Sequence, residues 1–578
     1  MSRRHVIILV VGLLLFVPSL WVGFLMDDFY YLGAIEGRFP EHNIDRCLFP
    51  FFINDEEATA AIADQGGYPW WIDERVKGET FRPLSDQLIK IDYLLHGESA
   101  LGYHLHSLAW WAATLFVCGL IFRRVLPGAI GVLAFVLFAI DEVHVMPVAW
   151  IANRNALVAL APMLIGLWAW IRWCEDGWRA GRFLAPVGIV IGMAGSELGL
   201  AVLAYFVAYT LWGVPEAGIR ARLVRLLPIV GLAATYALVY QLLDFGGSGS
   251  GVYRDPLGNP AGFLGAVVTG APTLLASGIA GFSADFWYAV PSLRTALVVV
   301  GCLATLGLLG VLRACWSQLD DTTRRGLRWL LAGSGLSLIP VAAVFPSDRM
   351  LLVPGIGLMA ALATVLVQAI RSWRSHRRWL LIGVGGFLAA VHLLLAPLFT
   401  LGIQALLIKQ GRQSLELATS PIVVDAGGKD TILIFAPDHI VSLYLPRIID
   451  HLKGPAPKSW RPLSIAPHDH WLRRTGTRTL ELEVVEGGVM LRSIFEELYR
   501  DPENRLTPGT ILDRGLLQAE ILAANDRGPT RVAFQFDRDL TDPSLNFLVW
   551  QDGELRKADL PNVGEELFLR RTLGPGGF

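Results

Sequence analysis

The sequence predicts an α-helical polytopic membrane protein with about eleven transmembrane helices and a C-terminal β-rich domain outside the membrane. Composition is the first reason: 53% of the 578 residues are hydrophobic and 17% charged, whereas soluble chains carry about 25% charge. Apolar runs long enough to cross a bilayer also recur as far as Leu398, separated by short Arg-rich links. From Gln413 onward the pattern changes to mixed polar sequence with strand-like alternation.

Val6 to Leu25 is the first apolar run, and at about 20 residues it can span a bilayer. It has no small-x-small cleavage site before Asp27, so it reads as an uncleaved anchor. Arg3 and Arg4 hold the N-terminus in the cytoplasm, and Asp27-Asp28 then emerges on the outer face. A long outer loop follows, residues 26–102, containing Trp70, Trp71 and an amphipathic stretch from Asp86 to Leu95 suited to the interface.

Spans are expected at Tyr103–Phe122, Ala129–Met146 and Ala156–Ile171. From Phe183 to Trp212 an apolar stretch is interrupted by Gly195-Ser196-Glu197 and reads as two short helices. Leu226–Leu243 leads into a second outer loop, 244–292, rich in Gly and Pro. Its middle, Phe263 to Ala280, is apolar, but counting it as a crossing would place Arg324-Arg325-Arg328 and Arg371-Arg374-Arg377-Arg378 outside. It is therefore not counted. Thr295–Leu312, Trp329–Phe345, Met350–Ile370 and Trp379–Leu398 complete the set, and the odd total puts the C-terminus outside. The domains are thus 1–412 in the membrane and 413–578 outside it.

In the outer domain Thr431–Phe435, Thr479–Val485 and Arg531–Phe536 read as strands, with turns at Glu486-Gly487-Gly488 and Asp552-Gly553. His468-Asp469-His470 has the look of a metal site, but directly after Pro467 it reads as a surface loop. The five cysteines have no disulfide or zinc spacing. A net charge of −2 without long basic runs gives no sign of nucleic-acid binding.

With this topology the unusual polar residues fall at the outer ends of spans. They include Asp27, Asp28, Arg82, Asp86, Asp141, Glu142, His144, Asn153, Arg154, Asn155, Glu197, Asp285, Asp348 and Arg349. A carboxylate can take the proton of an attacking hydroxyl, and arginine forks stabilise phosphate oxygens. That combination suits transfer from an anionic leaving group. The structural alternatives are a hydrated helix end for Asp27-Asp28 and interfacial anchoring for Arg82, Arg154 and Arg349. Glu197 interrupts an apolar run, where a purely structural carboxylate is costly. His104 and His106 lie two apart and face different ways on a helix, and His104 is the one expected to line a cavity, with His144 similar.

Six stretches, in order, resemble the GT-C membrane glycosyltransferases, above all the transmembrane and tetratricopeptide-repeat O-mannosyltransferases and their bacterial relatives. They are Phe81-Arg-Pro-Leu-Ser85, Leu101-Gly-Tyr-His-Leu-His106, Phe138 to Arg154, Ser196-Glu197-Leu-Gly199, Ser283-Ala-Asp285-Phe-Trp and Asp348-Arg349 to Gly357. The third resembles F-A-x-H-P-x-H-x-E-x-V-A-x-x-x-G-R, the fourth K-E-x-G, the fifth S-x-D-W and the last E-R-x-L-Y-x-P-S-x-G. This chain has Met146 for the acidic residue, Ser196 for the lysine and Asp141 for the first histidine, and it lacks the repeats.

The resemblance implies a transferase that moves a sugar, with inversion, from a polyprenyl-phosphate donor to an acceptor hydroxyl at the outer membrane face. Asp27 or Asp28 would be the base. Arg82, His104, His144, Arg154, Glu197 and Arg349 would bind the donor phosphate or sugar. The expected partners are the lipid-linked donor, membrane lipid, and a protein or envelope-glycan acceptor, with the plasma membrane of a bacterium as the location. No cofactor is assigned, although Asp27 and Asp28 could ligate a divalent cation through oxygen. A lipid-linked-sugar transporter would carry internal repeats with charges at the midplane, and none is detected. An inactive glycan-binding scaffold is the other alternative.

Overall fold

The computed structural model describes every residue except 1, 39–46, 49, 215–217, 375–378, 486 and 578. Arg377 and Arg378 of the expected cytoplasmic cluster, and Glu486 of an expected turn, lie outside the described residues. The chain forms two compact units. One comprises Met1–Phe24, Thr80–Phe245 and Asp255–Ile408; the other comprises Leu25–Glu79, Gly246–Arg254 and Lys409–Phe578. The C-terminal domain thus takes in most of the first outer loop and nine residues of the second, Gly246–Arg254.

The first unit is helical. Among the described residues eight helices are long and apolar enough to cross a membrane: Arg3–Trp21, Ala100–Val125, Ile151–Asp176, Ile219–Leu242, Pro260–Ala280, Pro291–Gln318, Gly355–Arg374 and Trp379–Ala418. Gly128–Ile140 and Glu142–Ala149 are a bent pair, at 48°, and count as a ninth only when taken together as one span. The bend falls at Asp141, whose carboxylate accepts the Val143 N–H at 3.2 Å and so caps the second piece. Two shorter apolar helices, Gly181–Gly195 and Gly199–Gly213, flank the Ser196-Glu197-Leu198 break as expected. The segment around Trp329 is helical over Asp321–Val341 but is not among the eight, because Arg324, Arg325 and Arg328 dilute its apolar run.

Phe263–Ala280, which the sequence reading does not count as a crossing, is helical. It belongs to a continuous helix of 21 residues with mean hydropathy 1.6. Asn259 accepts the Gly262 N–H at 2.9 Å and caps it, and Pro260 takes the first helical position, where it needs no donor. Its backbone packs directly on the next helix: a Cβ on Gly301 would stand 1.8 Å from the Pro272 carbonyl oxygen. Arginine counting leaves it out as a crossing, and its helical character follows from its own cap, length and hydropathy.

In the second unit the strands are β1 (Lys77–Glu79), β2 (Gly246–Ser248), β3 (Asp430–Phe435), β4 (Ser459–Ser464), β5 (His470–Arg474), β6 (Thr479–Val484), β7 (Ile511–Arg514), β8 (Leu517–Ala524), β9 (Pro529–Phe536), β10 (Leu545–Gln551), β11 (Glu554–Lys557) and β12 (Glu566–Leu569). A four-stranded sheet runs β11-β10-β3-β4 and a six-stranded sheet β12-β5-β6-β9-β8-β7. β3 is parallel to both neighbours and buried along its whole length, as its unbroken apolar run requires. β6 alternates instead. Leu480, Leu482 and Val484 enter the core, while Glu481 and Glu483 meet Arg531 and Arg473 on neighbouring strands.

Asp552 and Gly553, at φ 53° and 81°, form the two-residue turn between β10 and β11. The expected hairpin at Glu486-Gly487-Gly488 is corrected: β6 pairs with β5 and β9, not with the chain that follows the turn. His470 is corrected too. It is fully buried in β5, with Ser464 Oγ 2.9 Å from Nε2 and the His468 carbonyl 2.9 Å from Nδ1. Trp70 and Trp71 lie in the core of this unit, and the Trp70 indole N–H donates to the Leu463 carbonyl at 2.9 Å.

Candidate functional site

Asp27 and Asp28 open the helix Asp27–Ile35, where acidic side chains complement the helix dipole. The two are not equivalent. Asp28, 2% exposed, accepts the Leu25 N–H at 2.8 Å, while its own N–H donates to the Leu25 carbonyl at 2.9 Å. This reciprocal pair closes a turn in which Met26 is held at φ 43°, a region a side-chain-bearing residue rarely enters. Asp28 therefore maintains the backbone.

Asp27 lines a cavity of about 350 Å³. Its Oδ1 accepts the Tyr444 hydroxyl at 2.9 Å. Burial, reinforced by the Asp27 charge, pushes the Tyr444 phenol well above its ordinary range, so it stays protonated and donates. Tyr444 ends the helical turn Ile440–Tyr444, which Asp438 caps by accepting the Val441 N–H at 3.0 Å. The helix Leu445–His451 continues from it and carries Arg447, whose guanidinium lies 5.4 Å from the Tyr30 ring and 3.3 Å from Asp450. Tyr30, Tyr499 and Trp460 complete the principal walls. Sequence reasoning missed these partners, because nothing between β3 and β4 signals a pairing with a helix that begins at Asp27.

The other expected site residues belong to the helical unit and form separate groups. Glu197 accepts the Phe81 N–H at 2.9 Å and the Arg82 Nε–H at 2.8 Å, so the two expected binding residues are an ion pair. Arg154, 2% exposed, pairs with Asp92 and donates to the Tyr103 carbonyl at 3.2 Å. Asp92 also takes His106 Nδ1 at 2.7 Å, and Trp110 donates to His106 Nε2 at 3.0 Å. His106, not His104, is thus the histidine in a charged network. His104 is fully buried with Nε2 2.9 Å from the Gly23 carbonyl. His144 is packed 4.6 Å from Phe138 and 4.8 Å from Trp111.

Arg349 stacks at 5.5 Å on Trp150 and on Phe345. Asp348 accepts from Ser277, Ser283 and the Ala284 N–H, at 2.6, 2.6 and 2.8 Å. It therefore ties the C-terminal turn of Pro260–Ala280 to the segment that follows. Among the described residues no group of three or more His, Cys, Asp or Glu side chains is arranged to hold a metal ion.

No family model matches the chain. Over 155 residues, 26% of its length, it is 29% identical to Protein O-mannosyl-transferase Tmtc1 of Drosophila melanogaster, of which the match covers 16%. Among solved structures it is similar to the Archaeoglobus fulgidus oligosaccharyltransferase tethered with an acceptor peptide, at 14% identity and TM-score 0.40, over 80% of this chain and 64% of that one. It is also similar to ArnT from Cupriavidus metallidurans bound to undecaprenyl phosphate, at 13% identity and TM-score 0.39, over 78% and 85% of the two chains. The chain thus spans less than two thirds of the first two relatives.

Proposed function

We propose that this integral membrane protein is a GT-C glycosyltransferase that uses a polyprenyl-phosphate sugar at the outer face of a bacterial plasma membrane. The observation that carries the reading is the position of Asp27: its carboxylate lines a ligand-sized cavity and is oriented by the Tyr444 hydroxyl. In this reading Asp27 accepts the proton of the acceptor hydroxyl. The freed oxygen attacks the anomeric carbon from the face opposite the phosphate, the anomeric C–O bond to phosphate breaks, and polyprenyl phosphate leaves with the bonding pair. Asp28 holds the turn that presents Asp27.

Arg349 is the proposed donor-phosphate cation; Arg82, ion-paired with Glu197, and His104, His144 and Arg154, all three buried, support the surrounding helices. Two of the similar solved structures hold a lipid phosphate, dolichol-phosphate in the oligosaccharyltransferase AglB and undecaprenyl phosphate in ArnT, and the tethered complex holds an acceptor peptide. The donor proposed here belongs to that lipid-phosphate class.

The test supplies membranes containing the protein with polyprenyl-phosphate mannose, glucose or arabinose and follows donor consumption. Transfer by the wild type and its loss in Asp27→Asn at unchanged protein level are expected. Binding or flipping of the donor without consumption would replace the transferase by a transporter. Neither consumption nor movement would leave a glycan-binding scaffold.

A further inference from the structure

We propose that the Asp27 cavity is the acceptor subsite and that it takes a carbohydrate, one or two pyranose rings of a glycan, in preference to an extended peptide. The inference rests on the transferase reading and adds the acceptor class to it. At about 350 Å³ the cavity is at the small end of ligand-sized pockets. Its walls combine flat aromatic faces with groups that both donate and accept. Tyr30 and Tyr444 meet edge to face at 6.0 Å and form a corner, and Tyr499 and Trp460 supply further ring surface. Asp27 accepts, Arg447 donates, and the tyrosine hydroxyls do either. A sugar ring has the matching surface, C–H faces for aromatic rings and hydroxyls that donate and accept. Trp460, 5% exposed, also has an indole N–H without an acceptor among the described residues.

Other ligand chemistries fit less well. The cations at the cavity already face carboxylates: Arg447 lies 3.3 Å from Asp450, Lys458 lies 3.1 Å from Asp430, and Arg38 pairs with Glu36. A phosphate would have to displace them. A peptide adding to the sheet would need the free edge of β4, the outermost strand of its sheet. That strand is covered. Arg461 in β4 donates to the Ala63, Asp64 and Arg514 carbonyls, and Gly66 lies so close that a Cβ would stand 3.1 Å from Ser459 Cβ. Pro462 also removes a donor from the strand.

The test is saturation-transfer NMR on the full chain in nanodiscs, without donor, using mannobiose, maltose and a Ser/Thr hexapeptide as probes. At least one disaccharide is expected to bind saturably, with affinity weakened roughly tenfold in Tyr30→Leu and also reduced in Arg447→Gln. Arg556→Gln, on the β11 hairpin, should bind as the wild type does. Thermal melts identify any variant that has lost its fold, and two variants keep the test open if one does. Binding of the peptide but no sugar, sugar binding unchanged in both cavity variants, or no binding at all would overturn the proposal. Because no donor is present, the two readings fail separately: sugar binding without transfer retains the subsite, and transfer to peptide without sugar binding retains the transferase.

Discussion

Arg154 and Asp92 form a buried ion pair, 2.5 Å from Nη2 to Oδ2, with side chains 2% and 3% exposed. Removing one partner leaves an uncompensated charge in a low-dielectric interior, which costs far more than the pair contributes. Arg154→Met should destabilise the helical unit by about 3–5 kcal/mol, and Asp92→Asn by a similar amount. The double variant should recover much of the loss. Thermal unfolding of the four proteins in one detergent measures this; a double variant as unstable as the sum of the singles would contradict it.

The two acids of the first motif should separate by phenotype. Asp27→Asn is expected to lower kcat by about 10²- to 10⁴-fold, the usual contribution of a positioned base, with little change in melting temperature. Asp28→Ala removes the acceptor of the Leu25 N–H and should cost about 1–3 kcal/mol of stability, retaining activity in proportion to folded protein. Single-turnover rates beside melting curves distinguish the two.

Helix packing at Gly301 gives a steric prediction. An alanine there must displace the Pro272 carbonyl, so Gly301→Ala should cost about 1–3 kcal/mol or more. At Gly265, by contrast, nothing lies within 4 Å of where a Cβ would stand. Gly265→Ala should therefore be neutral or slightly stabilising, through helix propensity alone. Unfolding in increasing SDS, followed by circular dichroism, compares them.

Asp438 should make the Tyr444 turn sensitive to pH. Burial raises its pKa from 3.8 to about 6. The folded state thus holds this proton more tightly than the unfolded state, and stability falls as pH rises from about 4 to 6, then levels. The full effect is about 2–3 kcal/mol at roughly 1.4 kcal/mol per pH unit. Hydrogen exchange of amides 440–451, corrected for intrinsic rates, should show protection declining across that window in the wild type. Asp438→Asn should remain flat.

Local patterning is legible where one face of an element decides its fate. The alternation of Thr479–Val484 gives β6 directly, and Gly195-Ser196-Glu197 marks the break between two short helices. At Pro260–Ala280 cap, length and hydropathy specify a helix, while the charge rule bears only on whether it is counted as a crossing. His470 is misread because its surroundings look loop-like, although it occupies an inward position of β5. The candidate site is half legible. Two acids at the end of an apolar run identify themselves, but the Tyr444, Arg447 and Trp460 walls are distant in sequence and no periodicity connects them to Asp27.

The Tyr444 to Asp27 hydrogen bond joins residues 417 positions apart. A ribosome adds about 5–20 residues per second, so the carboxylate is made some tens of seconds before the hydroxyl that orients it. During that interval the nascent chain already contains its acid pair but not the cavity wall. That wall is not complete before the Ile440–Tyr444 turn is made, and a chain truncated within the helical unit would carry Asp27 without the hydroxyl that orients it.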